Sequence, residues 1–344
     1  MTTATLPVLD LSRLNQGDDE AAAFRRELRD ATHEYGFFYL TGHGIPHELF
    51  DGIIGTAREF FDLPDADKLE IENIKSRHFR GYTRVGGELT QGRVDWREQI
   101  DIGPERAAVE KGEGVAPFWT LEGPNQWPTA LPHLRDVVAE WQAQMDALSI
   151  TLMRAWAESL GADPDVFDAA FAHEPSTLIK IVRYPGKDDP EPQQGVGAHK
   201  DFGVLTLLYV EEGKVGLQVE KDGDWIDAPP LPYAFVVNIG ELLEVATEGY
   251  LRATIHRVVS PGSGQDRISV PYFYAPALDA TIPSIPLPDE LRAQAGGVTA
   301  DAHGEPLFST YGENAIKSRL RAHPDVAAIH HPELVSARTA APTH

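Results

Sequence analysis

The chain opens with apolar residues at helical spacing, interrupted by short runs with the character of strands. Leu6 to Leu11 predicts a short strand, and Phe24, Leu28, Ala31 and Tyr35 share one helical face that Gly36 terminates. Phe37-Phe38-Tyr39-Leu40 predicts a buried strand, broken by Gly42 and Gly44, and Leu49, Ile53, Ala57 and Phe60 mark a second amphipathic helix stopped by Pro64. Residues 75–130 are rich in Gly, Pro and charge with little periodicity, which predicts a functional loop or lid. Val137, Trp141, Met145, Leu148, Leu152 and Trp156 then form the stripe of a long helix ending near Gly161, read as core packing.

From Thr177 the pattern changes to short β runs separated by turn residues. Ile179–Tyr184, Val204–Val210, Leu217–Val219, Phe235–Ile239, Thr254–Val259 and Ile268–Tyr274 all predict strands, and Asp222-Gly223 marks a hairpin. That spacing predicts a jelly roll of about eight strands in a mainly β fold with flanking helices. Past Pro276 the chain is Pro-rich and irregular, with a helical turn or two at Asn314–Arg321. The expected organisation is a helix/strand region with substrate-side loops over 1–130, a packing helix and connection over 131–175, a core over 176–280 and an extension over 281–344.

Composition narrows the function classes. The 344 residues are 42% hydrophobic and 24% charged, which is globular. A formal net charge of −23 argues against nucleic acid or an anionic membrane as partner, so a small-molecule substrate is expected. The same charge means that an anionic ligand needs a local cation. With no cysteine, a metal must sit on His and carboxylate ligands. The N-terminus lacks the basic and apolar regions of a secretory leader and no apolar run could span a bilayer, so a soluble, cytoplasmic protein is expected, with a monomer preferred.

The candidate chemistry lies in His199-Lys200-Asp201 and the distant His256. Side chains two apart on an extended segment share a face, so His199 and Asp201 can reach one ion while Lys200 points away. Two imidazoles and a carboxylate form the facial triad that holds non-haem Fe(II) and leaves its opposite face open. The bland alternative is a surface His and a turn Asp without metal. His43, His47, His330, His331 and His344 lack such partners and are read as exposed or packing residues. Arg267 and Ser269 share a strand face and could hold a small dicarboxylate through a guanidinium and a hydroxyl.

His199-Lys200-Asp201-Phe202-Gly203-Val204-Leu205-Thr206-Leu207-Leu208 resembles the central motif of the isopenicillin N synthase-like 2-oxoglutarate and Fe(II)-dependent oxygenases. Arg183-Tyr184-Pro185, His256-Arg257-Val258 and Arg267-Ile268-Ser269-Val270-Pro271-Tyr272-Phe273 match that family in order and spacing. Tyr35-Gly36-Phe37-Phe38, Gly42-His43-Gly44-Ile45 and Tyr311-Gly312-Glu313-Asn314 extend the resemblance over nearly the whole chain. It implies a double-stranded β-helix core, Fe(II) on His199, Asp201 and His256, and 2-oxoglutarate held by Arg267 and Ser269, often with the tyrosine matching Tyr184. It further implies O₂ as oxidant, release of succinate and CO₂, and hydroxylation, desaturation or cyclisation of a small organic substrate.

Other positions stay open between function and structure. Tyr184 could equally pack in the core, Asn238 could bond near the iron or only shape the Gly240 turn, and Phe273 could line the pocket or be core. Tyr82, Arg84, Arg93 and Gln99 are substrate-side candidates in the irregular 75–130 region. A same-fold Fe(II) oxidase that does not use 2-oxoglutarate also carries an Arg-x-Ser. A metal-free β-sandwich binding protein and a zinc hydrolase are further alternatives, though Arg267-x-Ser269 has no task in the hydrolase.

Overall fold

Eight strands between Leu178 and Tyr274 build two facing four-stranded layers that enclose the cavity described below. The computed structural model describes residues 5–186, 194–298 and 307–340. Its strands are β1 (Val8–Asp10), β2 (Phe37–Thr41), β3 (Gly81–Thr83), β4 (Leu89–Thr90), β5 (Arg93–Val94), β6 (Glu98–Ile102), β7 (Leu178–Pro185), β8 (Gln194–His199), β9 (Leu205–Val210), β10 (Leu217–Lys221), β11 (Asp224–Asp227), β12 (Phe235–Ile239), β13 (His256–Val259) and β14 (Asp266–Tyr274). Its α-helices are α1 (Asp18–Glu34), α2 (His47–Phe61), α3 (Asp65–Glu70), α4 (Leu134–Ser159), α5 (Asp168–Phe171), α6 (Glu241–Ala246), α7 (Asp289–Arg292), α8 (Tyr311–Ala322), α9 (Pro324–His330) and α10 (Pro332–Ala340).

The major sheet runs β1-β2-β12-β9-β14-β7-β6-β3 and the minor sheet β11-β10-β13-β8. The jelly roll is therefore β12-β9-β14-β7 facing β11-β10-β13-β8, with the major sheet extended at both edges by strands from the N-terminal region. β10 and β11 join through Asp222 and Gly223, whose φ values of 55° and 90° suit the two-residue hairpin that the Asp-Gly pair predicts.

Strand alternation decides what each layer shows. Along β14, Ile268, Val270, Tyr272 and Tyr274 enter the core beneath the helices, while Arg267, Ser269, Pro271 and Phe273 face the cavity. α2 and α4 cover the outer face: Trp141 of α4 packs with Phe50, Tyr209 and Phe235, and Trp156 donates its indole N–H to Thr32 Oγ1 at 3.0 Å. Phe37, Val182, Tyr184, Val196, Leu217, Val219, Val236 and Val258 belong to a second apolar cluster between the two sheets.

Three expectations need correction. The 75–130 region is not irregular throughout: β6 pairs with β7 and β3 with β6, so part of it is sheet edge, held by long-range ladders that local periodicity cannot reveal. The Gly-rich run before His199, absent from the strands expected above, is strand β8, where Gly195 and Gly197 permit close approach; a Cβ on Gly195 would lie 3.0 Å from Val258 O, one on Gly197 2.8 Å from Thr90 Cγ2. The C-terminal extension folds as the successive helices α8, α9 and α10, and His331 is fully buried against Phe79; His344 lies outside the described residues.

One glycine positions the loop that matters most. A Cβ at Gly240 would sit 2.2 Å from Gly203 O and 2.8 Å from Asp201 O, because the start of α6 donates backbone N–H groups to the Asp201–Gly203 loop. Gly55, inside α2, is surrounded by open space: a Cβ there would meet nothing within 4 Å. Gly240→Ala should therefore destabilise by about 1–3 kcal/mol through overpacking, whereas Gly55→Ala should stabilise by about 0.5–1 kcal/mol. Urea unfolding of the two variants checks both signs.

Candidate metal and cosubstrate site

The minor sheet brings two imidazoles side by side. His256 on β13 pairs directly with His199 at the end of β8, and their ring centroids lie 4.2 Å apart. Each ring is oriented by its own chain: Nδ1 of His199 is 2.8 Å from Gly197 O and Nδ1 of His256 is 3.1 Å from Thr254 O. With Nδ1–H donating to a carbonyl, each Nε2 keeps its lone pair for a metal.

The major sheet supplies the clamp on the third ligand. Thr206 on β9 and Asn238 on β12 are cross-strand partners, and both donate to Asp201 Oδ2, at 2.6 and 2.8 Å. Asp201 Oδ1 is turned toward the imidazoles, 3.6 Å from His199 Nε2 and 3.8 Å from His256 Nε2. One donor atom from each of His199, Asp201 and His256 lies within 4.8 Å of the others, a spacing one ion can bridge. Asp201 is not on the strand with His199, as the two-residue spacing suggested; it lies in the loop that carries the chain from β8 to β9.

Electrostatics match that arrangement. Burial works against the Asp201 carboxylate, but His256, His199 and Thr206 outweigh it and hold its pKa far below the usual range. Burial and the neighbouring His199 push His256 down to about 4, so it is a neutral ligand at physiological pH.

Arg267 is 1% exposed, yet its Nε and Nη2 have no hydrogen-bond partner. Its Nη1 reaches only Ser269 Oγ, at 3.4 Å, and the Tyr184 ring lies against the guanidinium with its centroid 4.8 Å away. Arg267 faces Tyr184 across the β14–β7 ladder and Ser269 follows on the same side. A buried guanidinium without an anion is costly, and two unpartnered guanidinium nitrogens beside a hydroxyl suit a carboxylate. These residues and the three metal-type donors line one cavity of about 500 Å³, large enough for a dicarboxylate beside an ion. The side chains present therefore fit both groups.

Asn238 thus reaches the carboxylate of the triad, Phe273 lines the cavity, and Tyr184 touches Arg267. The four candidates from 75–130 do not line it. Tyr82 is in the core with its hydroxyl on Glu98 Oε2 at 2.6 Å, because Gly81 at φ 103° breaks the alternation between Arg80 and Tyr82. Gln99 is buried against Asp101, Arg84 is exposed and paired with Glu72, and Arg93 is exposed on the β4–β5 ribbon. The lining from this region is instead Arg80, Glu88–Gly92, Arg97 and Leu121, joined by α8. Thr206, Arg80, Arg97 and Lys180 are missing from the sequence-derived candidates; only the even spacing of Lys180 and Tyr184 on one predicted strand could have drawn attention to Lys180.

Two family profiles match the chain: "non-haem dioxygenase in morphine synthesis N-terminal" over residues 6–130 and "2OG-Fe(II) oxygenase superfamily" over residues 175–276. A 2-oxoglutarate-dependent dioxygenase, frbJ, of Dothideomycetidae sp. is 35% identical over 343 residues, covering 95% of this chain and 92% of that protein. A homoarginine-6-hydroxylase of Arabidopsis thaliana is 34% identical over 81% of this chain and 86% of its own length. The crystal structure of a full-length Neurospora crassa protein in complex with alpha-KG and 5-formyluracil superposes with a TM-score of 0.73 at 25% identity, covering 92% of this chain and 96% of that one.

The Thr206–Asn238 clamp makes a separable prediction. Asn238→Ala should weaken Fe(II) binding by about 10- to 100-fold while the protein stays folded, as loss of an outer partner of a metal ligand does. Anaerobic Fe(II) titration alongside circular dichroism measures both quantities.

Proposed function

Since the chain belongs to the 2-oxoglutarate and Fe(II)-dependent oxygenase superfamily, we propose that His199, Asp201 and His256 hold its iron and that Arg267 and Ser269 hold the distal carboxylate of its 2-oxoglutarate. The protein is a non-haem Fe(II) oxygenase that couples oxidative decarboxylation of 2-oxoglutarate, to succinate and CO₂, with oxidation of a small organic substrate. The same-fold oxidase that dispenses with 2-oxoglutarate is not favoured. The observation that carries the residue assignment is the buried Arg267, short of an anion on the same cavity as a preoriented His/Asp/His set.

When bound, Fe(II) would supply activation of O₂, with 2-oxoglutarate as the source of electrons through its decarboxylation. The chain's own contribution is geometry. Gly197 O and Thr254 O fix the two imidazole tautomers, and Thr206 and Asn238 occupy Asp201 Oδ2 so that Oδ1 is left for the metal. His199, Asp201 and His256 would supply three ligands to the metal and leave its remaining positions to cosubstrate and oxidant. Arg267 fixes the far end of the cosubstrate, and Tyr184 covers the guanidinium and excludes water from it. Phe273, Leu205 and Val258 add apolar walls to the cavity.

We assign the substrate side to the 1–130 region and the 281–344 extension around the 176–280 core, because β4, Arg97 and α8 line the cavity's remaining wall. The net charge of −23 supports a small molecule rather than nucleic acid as partner. Among the described residues no helix is long and apolar enough to cross a membrane.

Decarboxylation of carboxyl-labelled 2-oxoglutarate tests the assignment. The expected result is strict dependence on Fe(II), loss of turnover in His199→Ala and His256→Ala, and a KM for 2-oxoglutarate raised on the order of 100-fold in Arg267→Ala. Substrate oxidation without 2-oxoglutarate, or an unchanged KM in Arg267→Ala, would contradict it.

A further inference from the structure

The part of the cavity wall built from residues 80–121, β7 and α8 carries a row of buried charges. Arg97 pairs with Asp95 at 3.2 Å and with Glu88 at 2.8 Å. Lys180 pairs with Glu88 at 2.9 Å and with Asp101 at 3.2 Å, and Arg319 pairs with Asp101 at 2.9 Å. The row Asp95–Arg97–Glu88–Lys180–Asp101–Arg319 alternates in sign and balances, three carboxylates against three cations. The metal centre assigned above would balance too, with Fe(II) and Arg267 offsetting Asp201 and a doubly negative 2-oxoglutarate. Neither set requires Arg80.

Arg80 also lines the cavity and is only 5% exposed. Among the described residues its guanidinium makes one hydrogen bond, from Nη2 to Leu121 O at 3.1 Å, and its Nε has no partner. Among the described residues no carboxylate oxygen comes within 4.0 Å of the guanidinium, though Asp101 and Glu122 act on it at longer range. The backbone makes room for the group: a Cβ at Gly103 would lie 2.0 Å from Arg80 Nη2. Burial, reinforced by Arg319, pushes its pKa down to about 10, so it still carries its charge at neutral pH. A tether to Leu121 O needs one donor of the five that a guanidinium has.

We propose that Arg80 anchors the prime substrate, and that this substrate is a small organic acid whose carboxylate pairs with the Arg80 guanidinium. The proposal rests on the iron and 2-oxoglutarate assignment above and concerns a second carboxylate, separate from the one at Arg267 and Ser269. The desolvation of Arg80 is met in folding, so an incoming carboxylate gains a charge-assisted pair in a low-dielectric cavity without ordering a surface side chain. A neutral substrate would leave the guanidinium unpaired under the bound ligand, and a cation would be repelled by it.

The test is succinate release by the Fe(II)-loaded enzyme with a panel of small acids, namely arylacetates, medium-chain fatty acids and α-amino acids, each beside its primary amide. Acids should accelerate turnover and their amides should not. Arg80→Gln should raise KM for the best acid by at least about 30-fold with a smaller change in kcat, and Arg80→Lys should recover most of that loss. Amides that serve as well as acids would overturn the proposal, as would an Arg80→Gln enzyme that keeps both its KM and its preference for the acid. Should Arg80→Gln not fold, the wild-type acid–amide comparison and Arg80→Lys decide it. A wild-type enzyme that never consumes 2-oxoglutarate would instead bring down the cosubstrate assignment beneath the proposal, a failure distinct from lost acid preference.

Discussion

The Asp201 carboxylate is where the two sheets meet. One oxygen is held by a cross-strand pair of the major sheet, Thr206 and Asn238, and the other turns toward a cross-strand pair of the minor sheet, His199 and His256. The loop that carries Asp201 connects the sheets and is itself held by backbone bonds from α6. A buried carboxylate is tolerated only when paired and hydrogen-bonded, and every partner of Asp201 comes from a different strand. The register of four strands therefore has to be right before the three ligand atoms can converge. Fold and site are in this sense one constraint.

The rest of the cavity follows the same electrostatic logic. The chain as a whole is strongly acidic, yet its cavity wall gathers Arg80, Arg97, Lys180, Arg267 and Arg319. Long-range repulsion of an anionic cosubstrate is overcome locally, where the dielectric is low and buried pairs act at short range. Stability is given up for this: an unpaired guanidinium inside a protein is unfavourable until its anion arrives. Such groups are retained where binding has to be strong and oriented.

Much of this could be read from the sequence, and the limits have physical causes. The grouping of His199, Asp201 and His256 could be anticipated from a short motif and the shared face of Arg267 and Ser269 from strand parity, both local properties, although Asp201 lies in a loop and not on the strand of His199. Strands β9, β12 and β14 were legible as apolar runs, and the β10–β11 hairpin through Asp222-Gly223. β8 was hidden by its glycines, which serve close packing, β6 by charges that turn out to be buried in pairs, and β3 by its length of only three residues. Tyr82 and Gln99 misled because an aromatic or polar residue in an irregular stretch looks pocket-like until a positive φ at Gly81 and the β6–β7 ladder turn them into the core. Arg80 and Arg97 carry no local mark; only the assembled cavity distinguishes them from the other arginines.

The central claim is that one preoriented His/Asp/His set and one buried guanidinium together hold an iron-chelated 2-oxoglutarate. Its most direct test is the visible spectrum of the anaerobic Fe(II)-loaded protein during 2-oxoglutarate titration. The account predicts a saturable charge-transfer band that is absent in Asp201→Ala. Iron that binds tightly in the native protein but gives no band at saturating 2-oxoglutarate would contradict it.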